Sequence, residues 1–206
     1  MYWSAMKRKI VCLPQKVYVS EILLLIISII LEITSSSFLY TAKKNCRGQC
    51  VLFAKLYERA RILQGSSPSW CYLPMVFNLA ATTTSVFVLK LIIKGRRSRS
   101  SDLRVLGLGS LSAFLVFLSS WIISSGFREF CKSFVINKCI HAHIKAMDWK
   151  NFTPKYTDGG DLYFTLQLAE ASGWSACLLL CVFCVTCARK LFAGLHTTKN
   201  LNFYDE

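Results

Sequence analysis

The sequence predicts an all-α membrane protein, a bundle of four transmembrane helices carrying a small extracellular β element. Three observations support this. The 206-residue chain is 53% hydrophobic, and its charge is gathered into a few blocks, unlike an ordinary soluble domain. Four apolar segments, about residues 17–40, 72–93, 103–127 and 162–188, each reach the roughly 20 residues that cross about 30 Å of hydrocarbon. Cysteines gather in two of the three connecting stretches and are absent from the third. Backbone groups in hydrocarbon must be satisfied within the segment, so each apolar run is expected to be a helix. Residues 1–206 then form a single membrane domain.

The first segment follows a basic start containing Lys7, Arg8, Lys9 and Lys16. A cleaved signal peptide would also begin this way, with Thr34 to Ser37 as small residues near a cleavage point. Its apolar core would be about 7–15 residues, however, and this one is longer, so a retained helix is expected. Loop one, about 41–71, contains NCRGQCVLFAKLY, in which Val51, Phe53 and Leu56 follow a glycine turn and suggest a short strand. The linker 94–102 lies within the densest basic stretch, KGRRSRSSDLR.

Basic residues counted over whole loops do not orient the chain, since twelve would fall on each side. Density beside the helices places the linker in the cytoplasm. Cysteine placement agrees. Cys46, Cys50, Cys71, Cys131 and Cys139 lie in the two other loops, and disulfides need an oxidising compartment. Both termini, including the tail 189–206, are then cytoplasmic. The net charge of +14 is spread between apolar runs and not along one soluble face, which favours anionic lipid headgroups over nucleic acid.

The preferred pairing is Cys50 with Cys71 and Cys131 with Cys139, leaving Cys46 free or linked to another chain. Four cysteines allow three connectivities, and cross-loop pairing stays open. Loop two, about 128–161, carries the sequon Asn151-Phe152-Thr153, a candidate glycosylation site on the same side. His141, His143 and Asp148 are read as loop surface and not as a metal site. In the third segment Gly107, Gly109 and Ala113 supply small residues for close helix approach. Trp121 and Trp174 are read as bundle or interface aromatics.

In the fourth segment Cys177, Cys181, Cys184 and Cys187 follow helical spacing. One helix face cannot surround a tetrahedral ion, so they are read as small core residues. Cys184 and Cys187, close to Arg189 and Lys190, are candidate palmitoylation sites, with Cys12 a weaker one. The sequence shows no nucleophile with an identifiable base and no phosphate-binding loop, so neither an enzyme activity nor a cofactor is expected.

Polar residues recur at one depth. Counting inward at 1.5 Å per residue, Glu32, Asn78, Ser120, Ser124 and Glu170 fall about 10–14 Å below the outer surface and define an intramembrane polar layer. An acid at that depth is a functional-site candidate by default. The layer is expected to fix helix register, with a basic group on a partner helix or an ion pathway as alternatives. Arg128 is the nearest internal base.

Arg47-Gly48-Gln49-Cys50-Val51-Leu52, Trp70-Cys71-Tyr72, Phe114-Leu115-Val116-Phe117 through Ser125-Gly126-Phe127 to Cys131, and Tyr163 through Ala169-Glu170 to Trp174 together resemble the transmembrane protein 179 family, its B branch more closely. The resemblance covers about residues 20 to 187. It implies a claudin-like four-pass layout: a left-handed bundle, a small outside sheet, cytoplasmic termini and no enzyme activity. The chain departs from the family in Cys46, in its basic start and in a tail of about 18 residues. Loop one also lacks the Gly-Leu-Trp signature of true claudins.

The function expected is that of an accessory subunit or scaffold associating laterally with other integral membrane proteins, homo-oligomers included. A pore or transporter using Glu32 and Glu170 is one alternative. A cell-contact protein acting through its outside loops is another. The expected location is the plasma membrane or an endomembrane of the secretory route.

Overall fold

The computed structural model describes residues 2–46, 48–57, 62–94, 99–133 and 161–202, with side chains described within 19–46, 48–57, 62–94, 101–133 and 161–193. The elements in order are α1 (Tyr2–Asn45), β1 (Cys50–Tyr57), β2 (Ile62–Ser66), α2 (Ser69–Ile93), α3 (Arg99–Lys132) and α4 (Leu162–Asn202). Four stretches are long and apolar enough to cross a membrane: Val19–Asn45, Ser69–Ile93, Ser101–Lys132 and Leu162–Ala193. The protein is an integral membrane protein seated in the lipid bilayer. Leu79, Phe114, Leu178 and Phe192 are among many exposed large apolar residues, and lipid is the solvent that suits them.

The helices form a ring in which α1 packs on α2 and α4, and α3 packs on α2 and α4. Cross-contacts show that ring neighbours run antiparallel. Along α1–α2, Ser36 meets Asn78 while Glu32 meets Thr82. Along α3–α4, Ser124 meets Glu170 while Ser110 meets Cys184.

Two helices run past their expected ends toward the hairpin, for a visible reason. Leu39, Ala42 and Cys46 are all buried, and their spacing keeps one face of α1 turned inward beyond Tyr40. Phe127 and Phe130 do the same for α3. The charges that suggested loop lie on the opposite faces, as Arg128 and Glu129 do, with Glu129 and Lys132 paired at 2.5 Å. Lys43 is mostly buried, its ammonium 3.4 Å from the Tyr72 ring centre.

Between α1 and α2 the chain makes a two-stranded antiparallel sheet. The second strand was not anticipated. Gly48, at φ 84°, supplies the turn that leads into β1. The register then slips: Cys50 faces Ser66, but Lys55 faces Gln64, so five residues of β1 span two of β2. Within this bulge Phe53 takes φ 61°, a conformation that bulky residues rarely adopt. Its ring lies 4.8 Å from that of Trp70, and the Ser66 hydroxyl donates to the Leu52 carbonyl.

Cys50 and Cys71 are disulfide-bonded, tying the start of β1 to the first turn of α2 across 21 residues. Cys131 is disulfide-bonded too. Cys46 is free and 2% exposed, and burial pushes its thiol up to about 12. A link from Cys46 to another chain is therefore closed off, because the thiol is enclosed by the core.

Two apolar clusters fill the bundle. One, under the hairpin, gathers Leu39, Val51, Leu52, Ile123, Phe130 and Leu166. The other, toward the α2–α3 linker, gathers Leu25, Ala81, Val88, Val116, Leu180 and Phe183. Two glycines set close approaches. A Cβ on Gly109 would stand 2.8 Å from the Phe183 ring, and one on Gly126 would stand 2.7 Å from the Cβ of Leu52. Gly107 meets nothing within 4 Å, so of the two glycines expected to aid packing only Gly109 makes a helix contact.

Gly126→Ala is expected to lift the hairpin from α3 and cost about 1–3 kcal/mol, read as a lower thermal unfolding temperature in detergent. Gly107→Ala, at an open helical position, should be neutral or stabilising by up to about 1 kcal/mol. Equal effects at the two positions would refute this seating of the hairpin.

Candidate functional site

The two apolar clusters part at mid-bundle. On each helix the gap is occupied by small or polar residues: Ser35 and Ser36 above Glu32 on α1, Asn78 on α2, Ser119 and Ser120 on α3, and Glu170, Ser172 and Gly173 on α4. Hydrogen bonds at this level join each helix to the next.

From α1 to α2, Thr82 Oγ1 donates to Glu32 Oε2 at 2.8 Å, and Asn78 Nδ2 donates to Ser36 Oγ at 3.2 Å. From α2 to α3, Ser119 donates to the Pro74 carbonyl at 3.1 Å. From α3 to α4, Ser124 donates to Glu170 Oε1 at 2.6 Å and accepts from Trp174 Nε1 at 2.8 Å. From α4 back to α1, Ser35 donates to the Ala169 carbonyl at 2.8 Å. A second α2–α3 bond lies nearer the linker: Ser112 donates to the Ala81 carbonyl, so Ser85 is the donor in the 2.8 Å Ser85–Ser112 contact.

The residues expected to form one layer are thus divided between seams. Glu32 and Asn78 belong to α1–α2, whereas Ser124 and Glu170 belong to α3–α4. Ser120 is fully buried, and a Cβ on Gly173 would stand 2.7 Å from its hydroxyl. The two acids also differ in surroundings. Glu32 is 1% exposed, whereas Glu170 is half-buried at the edge of its seam. Around Glu170 the α3–α4 face is aromatic, with Phe117 6.0 Å from Trp121 and 5.9 Å from Trp174 between ring centres. Trp121 itself is exposed. Arg128 does not answer either acid: it is exposed and makes no ion pair among the described residues, because Phe127 and Phe130 take the inward positions of that turn.

An ion pair absent from the sequence reading closes the other end. Glu21 on α1 is buried, and Lys190 Nζ on α4 lies 2.6 Å from its Oε1. The Cys187 thiol points to the same oxygen at 4.0 Å. Of the α4 cysteines, Cys177 is buried, Cys184 and Cys187 are half-buried toward α3 and α1, and Cys181 is exposed. No group of three or more His, Cys, Asp or Glu side chains gathers among the described residues. Asn151, Cys139, His141, His143 and Asp148 lie outside the described residues, as does the side chain of Cys12.

A family model described as the Transmembrane protein 179/179B Claudin domain matches residues 17–204. Neither the curated proteins nor the solved structures yield a match.

Lys190→Met should leave the buried Glu21 carboxylate without its cation. Because Lys190 is 45% exposed, the expected cost is about 1–2 kcal/mol, below that of a fully buried pair. Adding Glu21→Leu should recover most of it in thermal unfolding, and an additive second loss would show that the pair does not hold α1 to α4.

Proposed function

The chain belongs to the transmembrane protein 179/179B claudin family, and from that membership we propose that it is a non-enzymatic accessory subunit or scaffold that docks laterally onto another integral membrane protein. One observation supports this above the others: Glu170 is only half-buried in the α3–α4 seam, where it accepts from Ser124, itself bonded to Trp174. An acid at the edge of a membrane bundle is costly to leave against hydrocarbon, and a polar or basic side chain from a neighbouring helix removes that cost. The aromatic face formed by Phe117, Trp121 and Trp174 gives such a helix a broad surface to pack on. Partner and chain would meet within the bilayer, through Glu170 and Ser124.

A pore lined by both acids is less well supported, because Glu32 and Glu170 hydrogen-bond in different seams. In the proposed arrangement the hairpin end, with its Cys50–Cys71 bridge, faces the oxidising side of a secretory-route membrane and both termini are cytoplasmic. Glycosylation at Asn151 and acylation at Cys184 or Cys187 are compatible with that orientation.

The test is co-purification in mild detergent followed by crosslinking mass spectrometry. The native chain is expected to bring down a second membrane protein crosslinked near α3 or α4. Glu170→Leu should reduce recovery about tenfold, equivalent to about 1.4 kcal/mol, while the lost Ser124 hydrogen bond should cost the isolated chain no more than about 1 kcal/mol in thermal unfolding. A chain that runs alone, without a crosslinked neighbour, defeats the proposal.

A further inference from the structure

We propose that the α1–α2 seam holds one small monovalent cation, an alkali ion or a proton, between Glu32 and Asn78. The site spans one helical turn of each helix. Glu32 and Ser36 form one edge and Asn78 and Thr82 the other, closed by the Thr82–Glu32 and Asn78–Ser36 hydrogen bonds. Each bond uses one polar atom of its residue. The second carboxylate oxygen, Glu32 Oε1, and the amide oxygen, Asn78 Oδ1, are buried without a hydrogen-bond partner. Glu32 is 1% exposed and Asn78 2%, so neither oxygen reaches solvent or lipid.

Both orphans are acceptors. Two buried acceptors with no donor between them are unfavourable, since each has lost its water without a replacement. A proton held on the Glu32 carboxyl, or a small cation lying among these oxygens, would satisfy both. Hard oxygen donors of this kind, a carboxylate, an amide carbonyl and the flanking Ser36 and Thr82 hydroxyls, suit a small hard cation and not a soft metal. Charge points the same way. A carboxylate inside the bundle needs a neutralising partner, and among the described residues no basic side chain supplies one.

Other titratable groups leave the site alone. On α2, Tyr72 and Lys90 stand near opposite ends of the helix. On α4, Glu170 turns to Ser124, and Lys190 is taken by Glu21, about three turns from Glu32 along α1. Cys177 is buried in the linker-side cluster. On α3, the hydroxyl-bearing residues Ser112 and Ser119 bond to backbone carbonyls of α2. A single charge, not a divalent one, matches the single carboxylate.

The cation would fasten α1 to α2 at mid-membrane, independently of any partner at Glu170. Thermal unfolding of the purified full chain in detergent tests this. If an alkali ion occupies the site, the unfolding temperature rises with sodium chloride relative to choline chloride at equal ionic strength. If a proton occupies it, the temperature rises as pH falls at fixed salt. Either dependence should vanish in Glu32→Gln, which keeps shape without charge, and persist in Glu170→Gln, which separates this site from the docking face. Asn78→Leu should shift the midpoint of the sodium or proton titration about tenfold. Stability indifferent to both cations, or a dependence that survives in Glu32→Gln, overturns the proposal.

Discussion

The structure depends on the absence of a hydrophobic drive between its helices. Lipid tails solvate Leu79 or Leu178 as well as a neighbouring helix would, so apolar burial alone cannot choose the ring arrangement. What remains is close approach at small residues and hydrogen bonds that hydrocarbon cannot replace. The hydrogen bonds are concentrated in the gap between the two apolar clusters, where Ser35, Ser119, Ser124 and Thr82 each bond across to a neighbouring helix. Four seams are joined there in a closed circuit. Because each bond is worth only about 1 kcal/mol in such a setting, the arrangement rests on the whole circuit and on no single member.

The ends of the bundle are held differently, and the difference follows from what surrounds them. At the hairpin end the Cys50–Cys71 bridge and the seating of Leu52 over Gly126 give a compact cap whose core is continuous with that of the helices. At the linker end the Glu21–Lys190 pair joins α1 to α4 instead. Glu21 is shielded while Lys190 stays partly in contact with its surroundings, an arrangement that suits a long side chain reaching from bilayer to interface.

Hydropathy alone located four spans, because apolar length is a property of each segment by itself. It placed their ends less well. Leu39–Ala42–Cys46 and Phe127–Phe130 show why: near the hairpin the inward faces stay apolar while the outward faces become charged, so an average over the turn reads as loop. The strand around Val51 was legible from its glycine turn, but β2, Ile62–Ser66, has too few apolar residues to announce itself without its partner. Glu21 was passed over because it begins an apolar run, and Lys190, nearly the whole chain away, reads as a tail charge. Counting along each helix gave the depth of Glu32 and Glu170. Azimuth depends on packing phase, which no single segment contains, and it placed the two acids in separate seams.

That separation changes how an intramembrane acid is to be read. Glu32 and Glu170 share residue type, depth and a hydroxyl partner, so sequence treats them alike. Glu32 is enclosed at 1% exposure, and its Oε1 and the Asn78 amide oxygen of the same seam are both unpartnered, so a side chain on another helix does not reach either oxygen. Glu170, only half-buried in its own seam, can be met by a side chain on another helix. In the proposed arrangement the same carboxyl group serves internal register in one seam and external recognition in the other. What distinguishes them is how far the neighbouring helix covers each one. A claudin-like bundle can in this way keep its fold and its association surface on different helix pairs, so that changes at α3–α4 need not disturb α1–α2.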